Sequence, residues 1–512
     1  MKMKKNKIIQ KQIRGQASSC KIRFANFATW CLTLKQARHI FSVLALLLIF
    51  ILSSCNEYTK YTKPKVEVPL EYRGALHEQK PADKTFGQIY WGDIIKDDVL
   101  KGLMSTALVN NYDILLAAEK ILEMEAKYGV SRSALYPTIN GEALNNSQRF
   151  SHNAPIMSVP DLQHYTQLDF NLAYEFDFWG KLRRTADAAK ADFLATAEAK
   201  NTVYITLVSN VAIAYFQLRE LDLELAISKE TLKNRQESLR LVAAREKYGK
   251  ATMLDVDQAK SLVLEVQAAI TDIERRIEQQ ENYLSFLLGK TPGSIPRGLP
   301  LPEQLDGLTI PPGLPSALLS YRPDIRQAEL TLMAAGARVD AARDLFFPQI
   351  TLTALDGTLS TYFSNLMKPE SAIWLLTPQL TLPIFDGGNI KSNIKMTESQ
   401  RRQVVINYVK TVQTAFREVS DSLMGYQKQK VYVSQQKEYT DVSADQARLS
   451  NLRYIGGVTS YLEVLDSEQQ YYQAEIQLAK ANLGELQYII NLYKALGGGW
   501  QHGQPKYDPS KK

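Results

Sequence analysis

The chain has 512 residues, of which 45% are hydrophobic and 22% charged, and it carries a formal net charge of +7. Ten Lys and Arg but no Asp or Glu fall within residues 1–54, so the remainder carries about −3 and the basic balance belongs to the leader alone. Nothing basic enough remains to bind nucleic acid, and no RNA- or DNA-binding signature appears.

At the N-terminus, Lys35 and Arg38 lead into the apolar residues 41–52, which stop at Leu52-Ser53-Ser54-Cys55. The apolar run is too short to span a bilayer and has the flanks of a secretory signal. Small residues directly before a Cys resemble a bacterial lipobox, so residues 1–54 are expected to be a lipoprotein signal peptide and Cys55 the lipidated first residue of the mature chain. An ordinary signal peptide with a chance Cys is the plainer alternative. The basic region is long enough for the true start to lie further downstream. Cys20 and Cys31 fall in the removed part, which leaves no pair for a disulfide.

Residues 55–98 are rich in Tyr, Lys and Pro without a period and read as a lipid-anchored, extended arm. From Leu100 the apolar positions keep helical spacing as far as Leu135, and Pro137 ends that helix. A β-hairpin is expected at about 138–178. Its second strand sets Leu168, Phe170, Leu172, Tyr174 and Phe176 against Asp169, Asn171, Ala173, Glu175 and Asp177, the period of two that sorts side chains onto opposite faces. A long helix over 181–247, a break at Tyr248-Gly249-Lys250 and a returning helix over 254–288 complete a first unit, residues 99–300.

The chain then repeats itself. Asp113 stands over Asp324, Ala117 over Ala328 and Pro137 over Pro348 at a constant shift of 211, and Leu288-Gly289 is answered by Leu496-Gly497 at a shift of 208. A unit of roughly 200 residues is far longer than a solenoid period, so each copy should be a structural half. The second, residues 301–497, is expected to hold a helix, a hairpin at about 349–385 and helices over 389–451 and 462–496 around a break at Ile455-Gly456-Gly457. Trp374, Leu376, Leu380, Leu382 and Ile384 form one face of its last strand. Residues 498–512 read as a flexible tail. Helices of some 60 residues would run roughly 90 Å, a length held by coiled coils rather than ordinary domains.

The strands have about the 9–11 residues a tilted membrane strand needs, with large aromatics at their ends. A half-buried sheet of a soluble domain is the alternative. Four strands cannot close a barrel, whereas three protomers would supply 12.

The stretches YEFDFWGKLRR (174–184), LLSYRPDIRQAE (318–329), PIFDGGN (383–389) and GGVTSYLEVLDSEQ (456–469), with Phe346-Phe347-Pro348, resemble the TolC-type outer-membrane efflux factors, in particular the lipoprotein branch serving resistance-nodulation-division pumps. The resemblance implies an α+β membrane protein with an internal duplication, a homotrimer whose 12-stranded outer-membrane β-barrel, four strands per protomer, continues into a long periplasmic α-helical barrel. It implies a passive duct for small molecules such as drugs and toxic compounds, with a periplasmic adaptor (membrane fusion) protein, an inner-membrane pump and outer-membrane lipid as partners. It places a periplasmic gate at Tyr454, Glu463 and Asp466, and adaptor-contacting helix tips at Gly249, Gly456 and Gly457. Thr459 departs from relatives that carry an Arg pairing across the gate. Glu463 and Asp466, at i and i+3, share a helix face, and a three-fold axis would turn them into two cation-selecting rings. A merely solvated face is the plainer reading. The breaks are expected to need glycine for positive φ, and Asp177, Trp179-Gly180 and Asp386-Gly387-Gly388 to be structural switches from strand to helix.

No enzyme is indicated. His77, His152, His164 and His502 lack ligand spacing, no nucleophile or nucleotide motif appears, and neither metal nor cofactor is expected. A type I protein-secretion duct has the same fold. A structural envelope spacer would have no need of aromatic, lipid-facing strands. The lipobox yields a direct test: mass spectrometry of the mature chain should find an acylated Cys55 at its N-terminus, and an intact Met1 or cleavage at another site would end that assignment.

Overall fold

The computed structural model describes residues 62–69, 72–73, 86–151, 153, 162–305 and 315–501. The leader, Cys55, most of the arm, His77, His152, His502 and the end of the tail lie outside the described residues. After a one-turn helix α1 (Trp91–Ile94), each half runs through the same series: α2 (Asp98–Asn110), α3 (Tyr112–Ser133), β1 (Thr138–Arg149), β2 (Leu162–Phe176), α4 (Lys181–Lys247) and α5 (Met253–Leu287), then α6 (Pro315–Tyr321), α7 (Pro323–Arg343), β3 (Gln349–Ser360), β4 (Ala372–Thr381), α8 (Asn389–Ile455) and α9 (Tyr461–Ala495). The long helices α4 and α8 have 67 residues each and their partners α5 and α9 have 35 each. At 1.5 Å per residue α4 and α8 are about 100 Å long.

The single short helix expected from Leu100 to Leu135 is two helices. Asn111 takes an extended backbone (φ −66°, ψ 131°), and its side chain caps α3 by accepting from the amides of Asp113 and Ile114. Apolar periodicity runs straight through one non-helical residue, which is why the break was invisible to it. In the second half Arg322 breaks the chain at the matching place, held extended by Pro323. Both break residues do a second job. Asn111 Nδ2 donates to the carbonyl of Leu287 at 3.0 Å, and Arg322 Nη1 donates to that of Ala495 at 2.9 Å. Each hairpin is thereby fastened, at the end where its returning helix stops, to the short helices of its own half. Gly289 (φ +67°) lies so close to this junction that a Cβ would stand 2.3 Å from the Asn110 carbonyl oxygen.

The four strands form one antiparallel sheet in the order β1-β2-β3-β4, and the β2–β3 pairing joins the halves. Its polarity is inverted relative to a soluble sheet. Phe170 is 65% exposed and Trp374 78%, while Asp169 is 2% exposed and accepts from the side chains of its same-face neighbours Gln167 and Asn171. An apolar face turned outward over a satisfied polar face is the arrangement lipid favours. The last strand stops at Thr381, so Leu382 and Ile384, expected on its face, lie beyond it; Pro383 between them has no amide to donate to a ladder. The turn from sheet to helix uses Gly180 (φ +96°) and Gly388 (φ +87°), with Asp177 accepting from the amides of Leu182 and Arg183, and Asp386 from those of Gly388 and Ile390. Trp179 donates to the Pro348 carbonyl at 2.7 Å and stacks on Phe347.

The main core surrounds the middle of α4, where Val211, Tyr215 and Leu218 share one cluster with buried residues of α2, α5, α8 and α9. One turn beyond, Glu220 and Glu224 are 3% and 1% exposed. Arg276 of α5 donates to Glu224 at 3.0 Å and Lys480 of α9 stands 3.3 Å from its other oxygen, whereas one oxygen of Glu220 has no hydrogen-bond partner. Burial, and then the adjacent Glu224, push the Glu220 carboxyl up to about 8 against the opposing fields of Arg276 and Lys480. The folded state therefore holds a proton that the unfolded chain releases at its ordinary, lower pKa, and stability falls as pH rises through that window. Glu220→Gln keeps the shape without the charge. It should raise the thermal unfolding midpoint in detergent, with a gain that is larger at about pH 9 than at about pH 5; an equal gain at both would mean that the carboxyl does not titrate there.

Candidate functional site

The two long hairpins end side by side. At each tip the chain leaves its helix by the same hydrogen bonds: Gly249 N to Glu246 O and Lys250 N to Arg245 O in the first, Gly457 N to Tyr454 O and Val458 N to Arg453 O in the second. Such a stop needs one left-handed residue. Gly249 (φ +66°) and Gly457 (φ +75°) supply it, whereas Gly456 sits at φ −72° in the right-handed region, contrary to the positive φ expected there. The first tip then restarts as α5 through a capping box between Thr252 and Asp255.

A small core of Val242, Ala259, Tyr454, Tyr461 and Val464 ties the tips together. Arg245, from the last turn of α4, lies over the Tyr454 ring at 4.6 Å and donates to the Tyr454 carbonyl, one of the last acceptors of α8, at 3.4 Å. The rings of Tyr454 and Tyr461 stand 5.3 Å apart, and the Tyr461 hydroxyl meets Ser238 Oγ at 3.2 Å. Tyr454 is 6% exposed, and burial pushes its phenol up. It belongs to the core of the tip, so the structure does not present it on the exposed surface that carries the other two residues expected at this site.

Glu463 and Asp466 are both exposed, while Tyr461, Val464 and Ser467 on the same helix are buried. The two acids thus share the outward side of the first turns of α9, as their spacing implies. Glu463 accepts from the Thr459 hydroxyl and pairs with Arg453 Nη1 at 3.3 Å. Asp466 accepts from Gln470 Nε2 at 2.8 Å.

Arg453 was not singled out from the sequence. It lies ten residues before Glu463, and only the closed turn brings them together. Arg235, also missed, is 2% exposed inside the hairpins, donating to Gln469 at 2.6 Å and to the Leu262 carbonyl at 2.9 Å. Beside it the Glu468 carboxyl is pushed up by burial, against the field of Arg235. A cavity of about 530 Å³ opens here between α4, α8 and α9. Among the described residues no cluster of His, Cys, Asp and Glu could hold a metal ion.

The family model described as "Outer membrane efflux protein" matches residues 103–290 and again 314–498, once in each half. The cation efflux system protein CusC of Escherichia coli O6:H1 is 35% identical over 453 residues, covering 88% of this chain and 97% of its own. The solvent efflux pump outer membrane protein SrpC of Pseudomonas putida is 34% identical over 470 residues, covering 91% and 99%. A crystal structure of CusC superposes with a TM-score of 0.78 at 32% identity over 86% of this chain and 100% of that one. The open state of the Neisseria gonorrhoeae MtrE outer membrane channel gives 0.78 at 29%, over 87% and 99%.

The tip geometry separates the glycines by experiment. A Cβ on Gly249 or Gly457 would meet no atom within 4 Å, so the cost of alanine there is backbone strain alone, about 1–2 kcal/mol. Gly457→Ala should lower the unfolding free energy by that order in chemical denaturation, while Gly456→Ala, with ordinary φ, should not. Equal losses at both positions would contradict the assignment.

Proposed function

This chain belongs to the outer membrane efflux protein family, and on that footing we propose that it is the duct by which a tripartite pump empties small molecules through the outer membrane. The observation that carries the reading is the inverted sheet joined to helices of about 100 Å. Four strands with outward apolar faces serve as one third of a closed barrel, and the helices as one third of a tube below it. The duct holds no energy source of its own; an inner-membrane resistance-nodulation-division pump supplies the drive, and a periplasmic adaptor protein joins the two. The adaptor meets the tube at the turns around Gly249 and Gly456-Gly457, and acylation of Cys55 adds a lipid anchor to the barrel.

The relatives are named for cations, solvents and toluene. A duct lined by generic polar side chains suits such a range, because it need not recognise what it passes. We therefore assign this chain small toxic compounds as cargo.

Glu463 and Asp466 form the gate at the tube's narrow periplasmic end, with Tyr454 serving from behind by anchoring the α8 terminus to α4 through Arg245. Threefold symmetry brings three copies of each acid to the axis, where uncancelled carboxylate charge favours cations. In planar bilayers, Glu463→Gln with Asp466→Asn should lower cation preference and alter resting conductance more than Glu274→Gln with Glu278→Gln, two exposed positions on α5. Indistinguishable behaviour of the two double variants would move the constriction elsewhere.

A further inference from the structure

The two acids of the tip are not equivalent. Both carboxylate oxygens of Glu463 are engaged within the protomer, one by Arg453 at 3.3 Å and the other by the Thr459 hydroxyl. Asp466 receives only the neutral amide of Gln470, and no Lys or Arg among the described residues forms an ion pair with it. We propose that Asp466 alone sets the charge selectivity of the tip, and that Arg453 is the specificity-determining residue that cancels Glu463. This rests on the gate reading above.

The argument is one of monopoles and dipoles. A trimer holds two rings of carboxylates but also a ring of three Arg453 guanidinium groups. Paired with Glu463, these leave a ring of short dipoles whose field decays faster than that of a bare charge. The Asp466 ring keeps its net charge, felt over a screening length of about 8 Å at physiological salt. Arg453 does not need a strong bond to do this. Its side chain is 57% exposed and that of Glu463 43%, so the pair contributes little to stability. What holds the cation in place is its position in the last turn of α8, where the helix dipole favours positive charge and the turn returns the chain directly to Glu463. Cancellation follows from proximity, whether or not the contact is closed at every moment.

Reversal potentials of the full-length trimer in planar bilayers under a salt gradient test this with three variants. Asp466→Asn should lower the cation-to-anion permeability ratio by roughly threefold or more, Arg453→Gln should raise it, and Arg453→Gln with Glu463→Gln should change it far less than Asp466→Asn does. Trimer size in detergent checks that each variant assembles, which the exposure of all three side chains favours. If the Arg453–Glu463 double variant loses as much cation preference as Asp466→Asn, then Glu463 acts as a bare charge and the proposal is overturned. If Asp466→Asn leaves the ratio unchanged while Arg453→Gln shifts it, the assignment to Asp466 fails but a charged constriction at the tip survives. If none of the three moves it, the gate reading itself fails.

Discussion

Backbone hydrogen bonding in lipid governs this molecule. A strand in hydrocarbon must have both edges paired, because no water is there to satisfy a free amide or carbonyl. The chain makes four strands in one sheet, and β1 and β4 each leave an edge open. The outward face, with Phe170 and Trp374, commits the sheet to lipid, so only other copies of the chain can close it. Three copies make the channel of this family's fold, and the three-fold axis is inherited by everything attached below. The tube and its three-fold arrangement are consequences of an edge that cannot be left unpaired.

Duplication solves the next difficulty, which is how to hold two helical hairpins in register with the sheet that precedes them. Each half fastens the end of its returning helix to the break between its short helices, yet the two halves do so with different chemistry. Asn111 uses a neutral amide on Leu287. Arg322 reaches Ala495 with a guanidinium that is also gripped by Asp324 and Glu418. A carbonyl acceptor at the same place in both halves is the constraint; the donor is free to vary so long as it reaches. The second half has more to hold, since Glu418 belongs to α8 and Arg322 therefore ties the outgoing helix as well as the returning one.

Much of this was legible beforehand because it is written in periods. The alternation from Leu168 to Phe176, the long helical runs and the repeat shifts of 211 and 208 each follow from where successive side chains must point. What escaped was set by contacts distant in sequence or by single residues. The breaks at Asn111 and Arg322 interrupt a helix for one residue and leave its apolar stripe in phase. Gly456 reads like Gly457 in sequence, but only one left-handed residue is needed to stop a helix. The ion pair of Glu463 with Arg453 depends on how the turn closes, and the clasp of Arg245 on Tyr454 and the burial of Arg235 on how the hairpins lie against each other. Spacing placed Glu463 and Asp466 on one face; it could not tell that Glu463 has an ion-pair partner while Asp466 receives only the amide of Gln470.

Packing is distributed so that the tip is held less firmly than the rest of the hairpins. The main core binds α2, α4, α5, α8 and α9 around Tyr215 and Leu492, and the Arg322 network adds charge-assisted bonds at the same level. At the tip the corresponding core is five residues, Val242, Ala259, Tyr454, Tyr461 and Val464, and the polar contacts around it are partly exposed. Local opening free energy follows the amount of buried contact, so the hairpins are held most firmly around the middle of α4 and most loosely at their tips. From Tyr215 to the tip α4 runs about 48 Å, and over that length a small rearrangement of the five-residue core becomes a displacement of the hairpin ends. On the gate reading proposed above, weak contacts are what would let the tip move, whereas a tip packed as densely as the region around Tyr215 would hold its hairpins fixed.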